Sequence, residues 1–228
     1  MSKMWSGVFL IFCLHAQESA PPDAKPEAVP VQAQTEDKHI LGIVPNYKTV
    51  PELSGPYVPI SAKTKFKLAT LDSFDPFEWG VAGIFAGFAQ LGDQYHEFGQ
   101  GMQGYAKRYG GAFADQAISN YLTEAILPSL LHEDSRYFRL GEGGGWKRTR
   151  YALTRVFITH TDSGKWRFNT SEIAGNALSA SISNIYYPDS QRTVGNTTQK
   201  WGVSIASDAG FNVLKEFWPD LRKKIFKQ

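Results

Sequence analysis

The chain has 228 residues, 24 basic and 22 acidic, giving a net charge of +2 at pH 7, with 42% hydrophobic residues and one cysteine. Near-balanced charge without a concentrated basic face argues against a nucleic-acid partner. A single cysteine, Cys13, excludes an internal disulfide framework and a multi-thiolate metal site.

The first sixteen residues have the pattern of a secretory signal peptide: Lys3, an apolar stretch from Met4 to Leu14, and a small residue at Ala16. An uncleaved anchor is the competing reading. The apolar stretch is short of the roughly 20 residues a membrane span needs. Cleavage after Ala16 removes Cys13, so the mature chain would rest on core packing alone. Residues 17–64 form a leader containing eight of the twelve prolines. Its Pro-, Ala-, Gln- and Glu-rich first half is expected to be disordered. Within it, 39–50 (HILGIVPNYKTV) is apolar and is expected to dock, most simply onto its own domain as a strand-like arm.

The helical domain is placed at 65–228. Asp75-Pro76 is a helix start, with Asp as N-cap and Pro in the first position, and predicts a helix to about Leu91. Gly83 and Gly87 form a small-xxx-small pair suited to close helix approach. A second helix is expected from about Gly101 to Leu131, kinked or ended by Pro128. Its polar residues recur at helical spacing: Asp115/Gln116, Ser119/Asn120, Thr123/Glu124. Such a stripe is either wet or hydrogen-bonded. A third helix is expected from Trp146 to about Ile158, followed by a turn at 160–164. A fourth begins at Asn169 or Thr170 with Glu172 completing a capping box, and ends before Pro188. A fifth spans about Thr193 to Trp218 and stops at Pro219, with Asp220 capping a short terminal helix. Strand alternation is weak after residue 60. The fold class is therefore all-α: one bundle of about five to six helices with Gly/Ala packing faces, preceded by a disordered leader.

Candidate chemistry is sparse. His96-Glu97 and His132-Glu133 begin like a zinc-protease helix, but positions 100 and 136 are Gln and Arg, so the second imidazole is missing. Asp93, His96, His132 and His160 are the candidate metal ligands, and three histidines from separate segments would have to converge. The segment His132-Glu133-Asp134-Ser135-Arg136 offers a base, two carboxylates, a hydroxyl and a guanidinium. His132, Glu133, Asp134 and Arg136 are thus the candidate catalytic residues. A helix terminus with paired charges is the alternative. No cofactor motif is present: the glycines at 143–145 lack phosphate-loop spacing. Glu124, Glu172, Asn176, Asn184 and Asp208 lie inside small, apolar stretches and need partners if buried. Arg148, Arg150 or Arg155 on the third helix are the expected partners of Glu124 or Glu172.

Several stretches taken together, 39–50, FKLATLDSFDP (66–76), FADQAISNYLTEAILPSLLHEDSRYFR (113–139), TRVFITHTDSG (154–164), SEIAGN (171–176), ISNIYYPD (182–189) and FNVLKEFWPD (211–220), resemble an uncharacterised family of exported bacterial proteins with a signal peptide and proline-rich leader. The resemblance implies a periplasmic, outer-membrane-associated or extracellular bacterial protein and carries no site residue. The favoured expectation is a non-enzymatic cell-envelope protein that associates with itself, an envelope partner or, peripherally, a membrane. A small hydrolase or lipid-acting enzyme using 132–136, and a membrane-embedded helical oligomer, are the rivals.

Overall fold

A computed structural model describes residues 38–51 and 57–226. The signal-peptide pattern and residues 17–37 of the leader lie outside the described residues. The fold is all-α, with short strands that tie segments together.

The chain enters as an arm. Strands β1 (His39–Ile40) and β2 (Val44–Pro45) pair antiparallel around a turn at Leu41 and Gly42, both at positive φ. Strand β3 (Thr49–Val50) then pairs in parallel with β5 (Tyr137–Phe138). The apolar segment docks on its own domain, burying Ile40 and Val50. Asp75 locks it: His39 Nε2 lies 2.8 Å and Tyr47 Oη 2.7 Å from its carboxylate. Burial alone would raise the Asp75 carboxyl. Its hydrogen bonds with His39, the Phe77 N–H and Tyr47 outweigh that and hold it below the usual carboxylate range.

Helix α1 (Ala62–Ser73), capped by Ser61, was not expected from the sequence. Its inward face is Lys65, Leu68, Ala69, Asp72 and Ser73, a helical spacing occupied mainly by polar or small residues. Lys65 is only 1% exposed, and its ammonium donates to the Pro128 carbonyl at 3.1 Å and Asp162 at 2.8 Å.

Helix α2 (Pro76–Leu91) starts on Asp75 as expected, with the Phe77 N–H donating to the Asp75 side chain at 2.9 Å. Its buried stripe is Ala82, Ala86 and Ala89, not the glycines. Gly83 touches Tyr105, whose hydroxyl donates to its carbonyl at 3.1 Å, but Gly80 and Gly87 face open space. Phe85, Phe88 and Leu91 are exposed. The loop to the next helix is organised by Arg108, 2% exposed, which donates to the carbonyls of Gln94, Tyr95 and Gly99 and to the Gln90 side chain.

Helix α3 (Gly101–Asn120), a π segment (Tyr121–Ile126) and α4 (Leu127–Leu131) form one rod, so Pro128 does not end it. Proline cannot donate to the carbonyl four residues back and its ring crowds that carbonyl. The wider π turn just ahead gives room. The freed Glu124 carbonyl accepts from Ser135 Oγ at 3.0 Å. The rod stops at His132, in the left-handed conformation.

Strand β4 (Glu133–Asp134) follows, then β5. Helix α5 spans Gly145–Thr154, not Trp146–Ile158, because Ile158–Thr161 becomes strand β6. It pairs antiparallel with β4 and with β7 (Trp166–Phe168). Thr159, Thr161, Trp166 and Phe168 are good strand formers, but runs this short show no readable alternation. Helix α6 (Thr170–Ser183) is capped by Asn169 as expected. At Gly175 it lies against the π segment: a Cβ there would come within 2.8 Å of Thr123 Cγ2 and 3.2 Å of its Cα. The close helix approach expected of Gly83/Gly87 is found here instead.

Helix α7 (Val194–Ile225) runs through Pro219 rather than stopping. Glu216 and Asp220, one turn apart, both bind Arg148 of α5, holding the turns around the proline in register. Arg148 is therefore committed to α7 and is not a partner of Glu124 or Glu172. Arg155 is stacked between Tyr151 and Trp166, 4.5 and 4.3 Å from the ring centres. Among the described residues no helix is long and apolar enough to cross a membrane.

Candidate ligand-binding cavity

The rods turn polar faces toward one another. The stripe Asp115, Gln116, Ser119, Asn120, Thr123 and Glu124 lines a cavity of about 990 Å³, and α2, α6 and α7 complete the wall. Each helix contributes by the same periodicity, residues three and four apart sharing a face. On α6 these are Glu172, Asn176 and Ser179; on α7, Lys200, Ser204, Asp208, Phe211 and Lys215. Ile84 and Phe85 of α2 and Val203 and Phe211 of α7 line the cavity and are also solvent-exposed, so they form an apolar rim.

The floor is a charged network. Lys48, delivered by the docked arm, hydrogen-bonds Glu124 and lies 3.0 Å from Asp72. One ammonium is thus shared by two carboxylates that are 6% and 8% exposed. Glu124 Oε2 and Asp72 Oδ1 are left buried without a hydrogen-bond partner. Unpaired buried polar atoms are uncommon and each needs a physical reason. Beside them, Asn176 donates to Glu172 at 2.9 Å and Asp208 at 3.2 Å, and accepts from Ser119 at 2.6 Å. Gln116 donates to Glu78. At the other end, Asp115 accepts from Tyr186 Oη at 2.6 Å, and Lys200 Nζ is 3.7 Å away over the Tyr187 ring.

Asp72, Glu78, Glu124, Glu172 and Asp208 are five carboxyls facing two amines, Lys48 and Lys215, a formal charge of −3. A low-dielectric interior does not hold that charge, so protons are retained. Burial and the nearby Asp72 push Glu78 up to about 7. Burial raises Glu124 despite Lys48, and burial with the Asp208 carboxyl raises Glu172 well above the usual range. Burial opposes the Lys48 charge, but Glu124 and Asp72 outweigh it and hold the ammonium protonated far above its ordinary range. Burial and the Lys48 charge lower Lys215.

The segment 132–136 is used differently from its sequence reading. His132 projects into solvent, its side chain 80% exposed, 3.6 Å from Asp162. Glu133 accepts the Ser171 N–H at 2.8 Å and sits 3.3 Å from Arg167. Asp134 accepts from Arg136 Nη2 at 2.6 Å and Tyr57 Oη at 2.7 Å, and Arg136 also donates to the Val58 carbonyl. These groups serve the start of α6 and the chain at 57–58. Asp93 and His96 are exposed, paired with Gln100 and Glu97. His160 is buried with its ring centre 3.6 Å from that of Trp166, and burial lowers its pKa. Among the described residues no three His, Cys, Asp or Glu side chains are grouped to hold a metal.

The sequence marks Glu124, Glu172, Asn176 and Asp208 as interior polar groups, with arginine partners expected for Glu124 and Glu172. Lysine and asparagine take that place. Lys48, Asp72, Glu78 and Lys215 were missed. The spacing Asp208, Phe211, Lys215 was the available signal for the last. No family model, curated protein or solved structure matches the chain.

Proposed function

We propose that the chain is an exported cell-envelope protein that binds a small amphipathic molecule between α2, α3, α6 and α7 and carries out no reaction on it. One observation carries this reading. Two carboxylate oxygens, on Asp72 and Glu124, are buried without partners at the floor of a cavity whose rim is apolar. Pockets of about 300–1,000 Å³ with an apolar lining and a few convergent polar groups are the usual form of small-molecule sites. Export rests on the N-terminal pattern of Lys3, the apolar run and Ala16. The enzymatic reading loses support because the side chains of Glu133, Asp134 and Arg136 are consumed by structural contacts.

The test uses N-phenyl-1-naphthylamine, an amphipathic fluorophore neutral at pH 7. It should bind saturably at one site per chain with a blue-shifted emission. Val203→Trp places an indole at the rim, where Val203 is 58% exposed and folding is not at stake. The substitution should weaken binding about tenfold or more, equivalent to about 1.4 kcal/mol, with an unchanged circular dichroism spectrum. Absence of saturable binding by this dye and by octyl-chain amphiphiles alike, or dye binding indifferent to Val203→Trp, contradicts the reading.

A further inference from the structure

We infer that the ligand of this cavity is an organic ammonium, an amine whose charged head sits among Asp72, Glu124, Glu172 and Asp208 and whose apolar body reaches the rim. This rests on the cavity being a binding site and names its ligand class. Three features of the floor lead to it.

The first is what the unpaired atoms lack. Asp72 Oδ1, in a side chain 11% exposed, is an acceptor, and Glu124 Oε2, in a side chain 7% exposed, becomes one when its carboxyl gives up its proton. A ligand that satisfies them must bring N–H or O–H donors. The second is charge. At this end five carboxyls face two amines, whereas the rest of the lining sets Asp115 and Asp134 against Arg108, Arg136, Arg155 and Lys200, so the acidic excess, and the place for a positive charge, lies at the floor. The third is shape. The carboxylates come from α1, α2, the π segment, α6 and α7, and no three are grouped to coordinate one small ion. The exposed Ile84, Phe85, Val203 and Phe211 ask for an apolar body that a bare metal cation lacks. An ammonium has three donors directed to separate acceptors, which suits scattered carboxylates.

Protons and ligand then compete. The charged groups acting on Glu124 and Glu172 are Lys48 on the arm, Asp72 on α1, and Asp208 and Lys215 on α7, while Glu78 on α2 faces Asp72 and Lys48. Asp75 acts on Glu78 from the start of α2. Burial and neighbouring carboxyls keep Glu78, Glu124 and Glu172 protonated above their ordinary range, and Lys215 yields its proton early. An arriving ammonium replaces protons on this set, so its affinity rises with pH. If one proton leaves per ligand, the limit is about tenfold per pH unit.

The experiment is calorimetric titration of the folded chain with octylammonium, 1-octanol and octanoate, three probes with the same tail. The expected result at pH 7.5 is octylammonium binding at least tenfold tighter than either other probe. Heats should differ between phosphate and Tris buffers by the ionisation heat of the released proton, and affinity should increase from pH 6 to pH 8. Glu172→Gln should reduce the preference for octylammonium about tenfold, whereas His132→Ala, on the solvent side, should leave it unaltered. Equal or tighter binding of octanol or octanoate overturns the ammonium assignment and leaves the binding reading intact. So does saturable binding of the naphthylamine with no binding of octylammonium. Failure of every probe, the naphthylamine included, overturns the binding reading itself.

Discussion

Glu216→Ala is expected to lower the unfolding free energy by about 3–5 kcal/mol, the range for breaking one side of a buried ion pair. Glu216 is fully buried. Its Oε2 accepts from Tyr137 Oη at 2.7 Å and the Leu140 N–H at 2.9 Å. Its Oε1 accepts from the Gly141 N–H and Arg148 Nε, both at 2.9 Å. Removing it takes the acceptor from Arg148 Nε, a phenol and two backbone donors together, leaving Arg148 only Asp220 and the carbonyl of residue 216. It also loosens α7 at Pro219, where the Arg148 pairing spans the missing helical bond. Glu216→Gln retains the acceptor oxygen but loses the charge, and should cost less than Ala. Urea unfolding followed by circular dichroism measures both. A loss under 1 kcal/mol for Ala would mean that α5 and α7 are held by apolar packing alone.

The cavity floor should make stability fall as pH rises. A carboxyl whose folded pKa is raised gives stability that is complete below its unfolded pKa and lost as pH climbs through the folded value. For Glu78 that window runs from about 4.5 to about 7, and Glu172 extends it upward. His160 works the other way: burial lowers its pKa, so its share is lost as pH falls below the ordinary imidazole value of 6.5. Comparison with a variant separates the two. Glu78→Gln should gain about 2 kcal/mol relative to the wild-type chain between pH 5 and pH 8, after allowance for the partial exposure of Glu78. Urea unfolding at the two pH values gives the difference. A gap that stays constant would mean that Glu78 titrates normally.

What was readable in the chain follows from how each element stores its information. Asp75-Pro76 and Asn169 act through bonds to nearby backbone, so the starts of α2 and α6 were legible. The polar stripe from Asp115 to Glu124 was legible as a stripe, because periodicity survives whichever way a face points. Its direction was not: a polar face normally meets water, and here it meets other polar faces. Helix α1 escaped because Lys65 and Asp72 occupy inward positions that usually mark an exposed surface. Pro128 read as a kink or a stop and Pro219 as a stop because the local rule is sound. Ser135, just past the end of the rod, folds back to the Glu124 carbonyl, and Arg148 reaches α7 from a segment distant in sequence; neither enters a local rule, and they reverse the outcome. The partner of Glu124 was misread for the same reason, whereas that of Glu172, Asn176, lies one turn along its own helix. Lys48 lies 76 residues before Glu124, in a stretch that reads as leader.

The central claim is that the inward polar faces of α3, α6 and α7, with Glu78 and the apolar side of α2, enclose a site for a ligand's ammonium. The direct measurement is a crystal structure of the chain grown with 8-bromooctylammonium at pH 8. The head should lie within hydrogen-bond distance of Glu124 or Asp72, and the anomalous bromine peak should fall at the rim beside Phe85, Val203 or Phe211. A bromine peak elsewhere on the surface, with only water against Glu124 Oε2 and Asp72 Oδ1, would contradict it.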